Sequence, residues 1–191
     1  SGIISNTTYD FYNIFRDKNS SVHAKRQQKF SIKYNLMKDT IYKNSKLNFE
    51  TEIYNQVFNT EKKLLTNEIY STGTYLRIFP IIGITSETPF KIKNFKYLTL
   101  NPKIQLTLSP GISNSNKLSN EESTNNDFTS ENVFQLNRFS GTDKMDNSKR
   151  LSYGLNAYTE KFKSSFLQTY EFTDNSNFHK EQGNENRLSD L

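Results

Sequence analysis

The chain has 191 residues, of which 33% are hydrophobic and 14% aromatic, with 15 Phe, 11 Tyr and no Cys. This length fits one domain or a large part of one, and the lack of cysteine excludes a disulfide framework and thiolate metal sites within these residues. The net charge of +5 comes from dispersed cations, which form no single patch of the kind that binds nucleic acid. Few aliphatic residues combined with many aromatic ones favour a sheet whose two faces meet very different surroundings.

The first half of the sequence predicts a series of strands. Residues 7–15 are aromatic and β-branched, as strands tend to be. Residues 30–36 and 47–53 alternate apolar and polar side chains, which is typical of a strand with two unlike faces. Residues 69–84 continue this pattern, and Pro80 inside them predicts a local distortion because proline is confined to edges, strand starts and bulges.

Further strands are predicted on both sides of a long irregular stretch. Residues 95–108 form the longest alternation, and residues 151–157 and 166–172 alternate after the irregular stretch. Residues 59–63 are interpreted as a polar break between strands. No segment has an apolar period near 3.6, so almost no helix is expected.

The length of these strands favours a membrane protein. Several runs cover roughly 9–12 residues, about what a tilted strand needs to cross a bilayer, whereas soluble strands average ~5–6. Lipid accepts the apolar face, a watery lumen accepts the polar one, and closure removes unpaired backbone edges. We therefore predict an all-β fold: an antiparallel curved sheet that is a section of a large transmembrane β-barrel, with one long folded loop. The alternative is a soluble or surface β-sandwich that binds carbohydrate, in which two sheets would face each other across a core.

The single predicted domain contains strands over residues 7–110, a long loop over about 111–149 and strands over about 150–191. Roughly 35 irregular residues are far more than an ordinary connection has, and loops of this length are usually functional or disordered. Phe128, Phe134 and Phe139 argue for a folded loop because disordered segments are poor in aromatic residues.

Four blocks in this region carry a family resemblance. The chain reads Asn120-Glu121-Glu122-Ser123, then Asn132-Val133-Phe134, then NRFSGTDKMD over residues 137–146, then Tyr153-Gly154-Leu155. Their order and spacing resemble the C-terminal β-barrel domain of the LptD (OstA) family, outer-membrane lipopolysaccharide-assembly proteins of Gram-negative bacteria. Lys144 stands where the family pattern has arginine, and it cannot make the planar two-pronged contact of a guanidinium.

The resemblance implies a transport role in the cell outer membrane rather than an enzyme, with no cofactor. The family barrel holds a plug lipoprotein (LptE-like) and passes lipopolysaccharide to the outer leaflet, while a periplasmic domain receives the lipid from an LptA-like bridge. The chain is expected to be an interior section of that barrel, truncated at both ends. Roughly eight to ten strands fit its length.

The candidate functional residues lie in the long loop and at the start of the strand after it. The loop is interpreted either as a flap that gates the lumen or as a purely structural plug. The candidate residues are Asn120, Glu121, Glu122, Ser123, Asn132, Phe134, Asn137, Arg138, Phe139, Ser140, Gly141, Asp143, Lys144, Tyr153 and Gly154.

Four of these residues carry specific expectations. Gly141 is expected to provide a tight turn. Arg138 is expected to pair with Glu121, Glu122 or Asp143. Phe134 and Phe139 are expected to pin the loop against the barrel wall.

Other ionisable residues give no catalytic or metal site. Lys33, Arg77 and Lys103 are lumen-facing cations that either contact phosphorylated sugar or face water. Glu50 and Glu52 share one strand face, but nothing in the sequence predicts the raised pKa that an acid catalyst needs. The only histidines, His23 and His179, lie far apart without ligand spacing.

Overall fold

The computed structural model of the chain describes residues 2–18, 20–66, 69–92, 98–124, 132–173 and 187–189. These residues form one sheet of eight strands. The strands are β1 Ile4–Phe15, β2 Arg26–Tyr42, β3 Ser45–Thr66, β4 Ile69–Glu87, β5 Phe90–Lys91, β6 Thr99–Leu108, β7 Lys149–Tyr158 and β8 Lys163–Glu171. Their order is β1-β2-β3-β4-β6-β7-β8, with β5 paired to β6, and every pairing is antiparallel.

The predicted all-β architecture is confirmed, and the sandwich alternative is wrong because the described strands form a single sheet. We call the end of the sheet where β6 and β7 join residues 109–148 the loop end, and those residues the covering loop. The opposite end, which includes the two-residue turn at 43–44, is the turn end. In the described part of the chain, no helix is long and apolar enough to cross a bilayer.

One face of the sheet is apolar and uncovered. Phe11, Phe30, Val57 and Leu76 are register partners across β1 to β4, and all four side chains are exposed. Ile104 on β6 is 46% exposed in the same way. No second layer of described protein covers these rows, as the membrane interpretation requires.

The other face is polar, and its half nearest the loop end lies beneath the covering loop. Lys29 on β2, Gln56 on β3, Gln105 on β6 and Ser152 on β7 point to this face and are all buried. The period of two in the sequence therefore separates side chains that the chain itself covers from side chains that it leaves open.

Pro80 does not distort the sheet, so that prediction is wrong. The β3–β4 register runs without a shift from Thr74 to Glu87, and Pro80 is opposite Ile53. On the other side of β4, β6 pairs only with residues 82–87. Pro80 lies outside that paired stretch, where β4 has an edge among the described strands and a missing N–H is tolerated.

Residues 59–63 do not break the chain into two strands, which also corrects the sequence interpretation. β3 continues through them to Thr66, and its pairing with β4 shifts register between Thr60 and Lys63. Lys62 has a φ of 51° at this point. A β-bulge thus accommodates the polar residues within one strand.

Several sequence expectations lie outside the described residues. They concern Phe128, His179, the start of the predicted strand at residues 95–97, and residues 174–186 and 190–191. Leu188 forms a bridge with Tyr170, and the Ser189 N–H donates to the Thr169 carbonyl at 2.9 Å, so residues 187–189 run beside β8.

Candidate functional site

Asp143 joins the covering loop to the first two strands. Its carboxylate accepts hydrogen bonds from the Tyr12 hydroxyl at 2.9 Å and from Lys29 Nζ at 3.1 Å. The same carboxylate accepts the backbone N–H groups of Glu121 at 2.6 Å and Glu122 at 3.1 Å. One buried side chain thus ties two parts of the loop to each other and to the sheet.

Lys29 supplies the matching positive charge from the polar face of β2. Its side chain is fully buried, and Nζ lies 3.0 Å from the Asp10 carboxylate and also pairs with Glu122. Nζ further donates to the Thr142 hydroxyl at 2.8 Å and lies 4.7 Å from the centre of the Tyr12 ring. Charge-assisted hydrogen bonds of this kind are about twice as strong as neutral ones.

The two glutamates of the loop are held by different cations. Glu121 pairs with Arg16, the first residue of the β1–β2 connection, whereas Glu122 pairs with Lys29. Burial alone would raise the pKa of Glu122, but hydrogen bonds from Lys29 and Thr142 outweigh burial and lower that pKa. The loop carboxylates are therefore already neutralised by the sheet and its connection.

Arg138 has partners other than those expected. Its Nε lies 2.5 Å from Asp146, its Nη2 lies 2.5 Å from Glu171 on β8, and all three side chains are fully buried. Arg150 on β7 also binds Asp146, at 2.9 Å. Burial alone would lower the pKa of Arg138, but the charges of Asp146 and Glu171 raise it overall.

Strand register explains why the expected pairing of Arg138 is wrong. Arg150 lies directly opposite Glu171 in the β7–β8 pair, so one positive and one negative charge already face the loop at this end of the sheet. Arg138 and Asp146 add the complementary charges from the loop. Glu121, Glu122 and Asp143 lie instead at the other attachment, with Arg16 and Lys29.

Gly141 lies at a turn that only a residue without a side chain fits. It has a φ of 70°, which is the left-handed region that favours glycine. A Cβ built at this position would lie 2.8 Å from the Glu122 carbonyl oxygen. The close approach of the two loop segments therefore depends on glycine here.

An apolar cluster fixes the middle of the covering loop. Leu136 and Met145 from the loop pack with Tyr54, Phe79 and Ile81 from β3 and β4. These strand residues are on the otherwise polar face, and each is at most 2% exposed. The loop thus has its own small hydrophobic core against the sheet.

Phe134 and Phe139, the two loop phenylalanines that the structure describes, have different surroundings. Phe139 is buried, and Lys144 Nζ lies 5.8 Å from its ring centre. Phe134 is half-buried, and Lys103 Nζ lies 4.3 Å from its ring centre. Gln105 Nε2 also donates to the Phe134 carbonyl at 2.9 Å.

Two of the three predicted lumen cations already form an ion pair or hydrogen bonds within the chain. Lys33 pairs with Glu52. Arg77 donates to the carbonyl oxygens of Thr142 at 2.7 Å and Asp143 at 2.8 Å. Arg77 therefore holds the loop backbone, while Lys103 packs on Phe134.

The remaining predicted residues divide between the loop and the sheet. Asn120 Nδ2 donates to the Ser123 carbonyl at 2.7 Å, and Asn137 Oδ1 accepts the Asp146 N–H at 3.0 Å. Ser140 forms a bridge with Thr124. The buried loop residues among them are Ser123, Asn132 and Asn137.

The Tyr153-Gly154 block lies on β7, in the strand predicted after the loop. Tyr153 is on the apolar face, where its hydroxyl donates to Gln168 at 2.6 Å. Gly154 is opposite Leu167 on β8. These two residues do not join the buried charge networks.

Sequence reasoning missed the strand residues that hold the loop. Lys29, Arg150 and Glu171 are charged, at polar-face positions near the loop end, and fully buried. Their charge was visible in the sequence, but charge on a lumen-facing position predicts solvation unless a covering element is known. No group of three or more His, Cys, Asp or Glu that could hold a metal occurs within the described residues.

Comparison with known protein families gives a match over almost the whole chain. The family model described as "LptD: LPS transport system D" matches residues 2–191. The match includes β1 to β3, which precede the four sequence blocks that carry the resemblance. No curated protein matches the chain.

Proposed function

The chain belongs to the LptD family of the lipopolysaccharide (LPS) transport system, and on this premise we propose that it forms a section of the outer-membrane barrel wall along which LPS passes to the outer leaflet. The family consists of outer-membrane transport and assembly proteins rather than enzymes. The loop end of this section faces the cell exterior, because long connections of such barrels are extracellular and short ones periplasmic.

The observation that carries this proposal is the contrast between the two faces of one sheet. Leu76 is 78% exposed on the apolar face, whereas Lys29 on the opposite face is fully buried. In water an uncovered apolar sheet face of this extent is unfavourable, because large exposed apolar patches drive association. Hydrocarbon accepts that face, and the strands of the complete barrel would pair with the open edges of this section.

The covering loop acts as a fixed lining of the lumen in this proposal. One attachment uses Lys29 and Asp143, and the other uses Arg138, Asp146 and Glu171. Both attachments are buried ion pairs, and removing one partner of such a pair is costly. The loop therefore narrows the passage while remaining bound to the wall, and LPS moves beside it.

The half of the polar face nearest the turn end remains open, and a plug lipoprotein of the LptE kind would fit there. A cavity of about 170 Å³ there is lined by both charge signs, among them Asp39, Lys46, Glu50, Glu87 and Lys103. A polar protein surface with hydrogen-bonding side chains suits this lining. An LptA-like periplasmic bridge would reach the barrel through a domain beyond these residues.

The test is delivery of newly made LPS to the cell surface. Cells depleted of the full-length protein should retain pulse-labelled LPS in inner compartments, and a plasmid copy should restore surface labelling. The same copy with Leu155→Arg, which places a charge on the apolar face, should fail to restore it. Normal surface delivery in depleted cells would refute the transport role.

A further inference from the structure

A polar cavity lies at the loop end of the sheet, between the covering loop, the β1–β2 connection and the end of β3. Its volume is about 280 Å³. The lining residues that matter here are Ser21, Lys63, Ser115, Asn116, Ser119 and Lys144. They come from three separate parts of the chain, so only the folded protein forms this cavity.

Lys63 brings a buried positive charge to the cavity without a matching negative one. The residue is 6% exposed, and its ammonium donates to the Asn116 carbonyl oxygen. No ion pair joins Lys63 to a carboxylate in the described part of the chain. An ammonium has three donors, and a buried charge is unfavourable unless it is paired, so an anion would complete this site.

Lys144 adds a second cation from the loop side. Its ammonium lies 5.8 Å from the Phe139 ring centre, and it too forms no ion pair among the described residues. Asp143 is the carboxylate in the lining, but Lys29 and Tyr12 already bind it. The cavity therefore has a net positive charge.

The remaining lining residues suit a sugar. Ser21, Ser115 and Asn116 are exposed, and their hydroxyl and amide groups both donate and accept hydrogen bonds. The predicted lumen cations Lys33 and Arg77 are already engaged with Glu52 and with loop carbonyls. Lys63 and Lys144 are thus better placed than those two cations to meet an anionic saccharide.

We propose that this cavity binds the phosphorylated saccharide part of LPS at the outer end of the passage, with Lys63 and Lys144 holding a phosphate. The inference rests on the proposed function, since LPS reaches the cavity only if it passes along this wall. A membrane phospholipid headgroup offers the same phosphate chemistry without the sugar, and the experiment separates the two.

The experiment uses the full-length protein in growing cells, with the photoreactive residue p-benzoylphenylalanine in place of Ser115 at the cavity rim. Irradiation should give an LPS adduct, identified by mass spectrometry. Combining Lys63→Gln with Lys144→Gln should reduce that adduct about tenfold, the effect expected from losing charge-assisted hydrogen bonds. Lys63→Arg with Lys144→Arg keeps both charges and should retain the adduct. The matched control Lys43→Gln, an exposed lysine at the turn end, should leave it unchanged.

The outcomes are distinguishable from those of the transport test. An adduct made only with phospholipid, no adduct, or an LPS adduct unaffected by the double glutamine variant would each overturn the cavity assignment. Surface delivery of pulse-labelled LPS is measured in the same strains. If LPS still reaches the surface but no adduct forms, only the cavity assignment is refuted. If LPS reaches the surface in cells depleted of the protein, the proposed function is refuted.

Discussion

Gly141 and Arg138 hold the covering loop by different physical means. Gly141 allows a backbone turn that brings two loop segments together, and Arg138 is the centre of a buried charge network. The first depends on the absence of a side chain, and the second on complete pairing of charges away from water. Each predicts a different response to substitution.

Gly141→Val should loosen the loop, because a side chain there combines an unfavourable φ with overlap against the Glu122 carbonyl. Gly111→Val is the matched control: Gly111 has a φ of 84° but open space around its Cβ. The control should lose only the free energy needed to hold a residue with a side chain at positive φ, roughly 1–2 kcal/mol. In the full-length protein, Gly141→Val should raise uptake of a large antibiotic more than Gly111→Val does. Equal uptake in both variants, at equal protein levels, would contradict a role for this contact.

Arg138→Glu should also release the loop, because it places a third carboxylate beside Asp146 and Glu171 in a buried site. Breaking a buried ion pair typically costs about 3–5 kcal/mol. Added protease should then cleave the loop in intact cells, and uptake of the large antibiotic should rise. Arg26→Glu, at an exposed arginine on β2, is the control. An uncleaved loop in Arg138→Glu would show that the network does not hold it.

At the scale of the element, each strand has a fixed relation between position and surroundings. In β7, Leu155 is exposed on the apolar face, while Asn156 is on the polar face, opposite Ser165. A shift of one residue would exchange these two sides. Adjacent residues of one strand therefore test the membrane orientation directly.

Leu155→Arg should reduce the amount of folded barrel, since arginine on the lipid face costs about 2–4 kcal/mol near the bilayer midplane. Asn156→Arg, one residue away, should be tolerated because the polar face meets water and protein. The measurement is the fraction of full-length protein that resists unfolding in detergent at room temperature. If both variants fold equally well, the apolar face does not meet lipid.

The strands also show where sequence reasoning succeeds and where it stops. The alternation in residues 30–36 assigned each side chain to a face, because strand geometry is local. The alternation in residues 69–84 places Phe79 on the same face as Arg77, but it gives no reason for an aromatic residue on that polar face. The reason is the contact with Leu136 and Met145, which come from a loop more than fifty residues later in the chain.

At the scale of the whole molecule, the connections differ between the two ends of the sheet. The covering loop occupies the loop end, whereas the turn end has the two-residue turn at 43–44 and a short connection at 159–162. Barrels in outer membranes place long connections outside and short ones in the periplasm. This asymmetry predicts the orientation of the entire section.

Cysteine labelling should report that orientation, since residues 1–191 contain no cysteine. Lys117→Cys, on the covering loop, should react with a membrane-impermeant maleimide on intact cells. Asn44→Cys, at the turn end, should react only after the outer membrane is permeabilised, with labelling of the unsubstituted protein as the background. Reaction of Asn44→Cys first would reverse the assigned orientation.

The sequence by itself determined the all-β class, the two unlike faces and the family, because side-chain alternation and ordered motifs are readable residue by residue. Only the tertiary structure decided which charges pair: Arg138 binds Asp146 and Glu171, and Lys29 binds Asp143 and Glu122. Register brings Arg150 and Glu171 together, and the loop then buries them. The strength of an ion pair depends on distance and on exclusion from water, and neither is set by a residue's place along the chain.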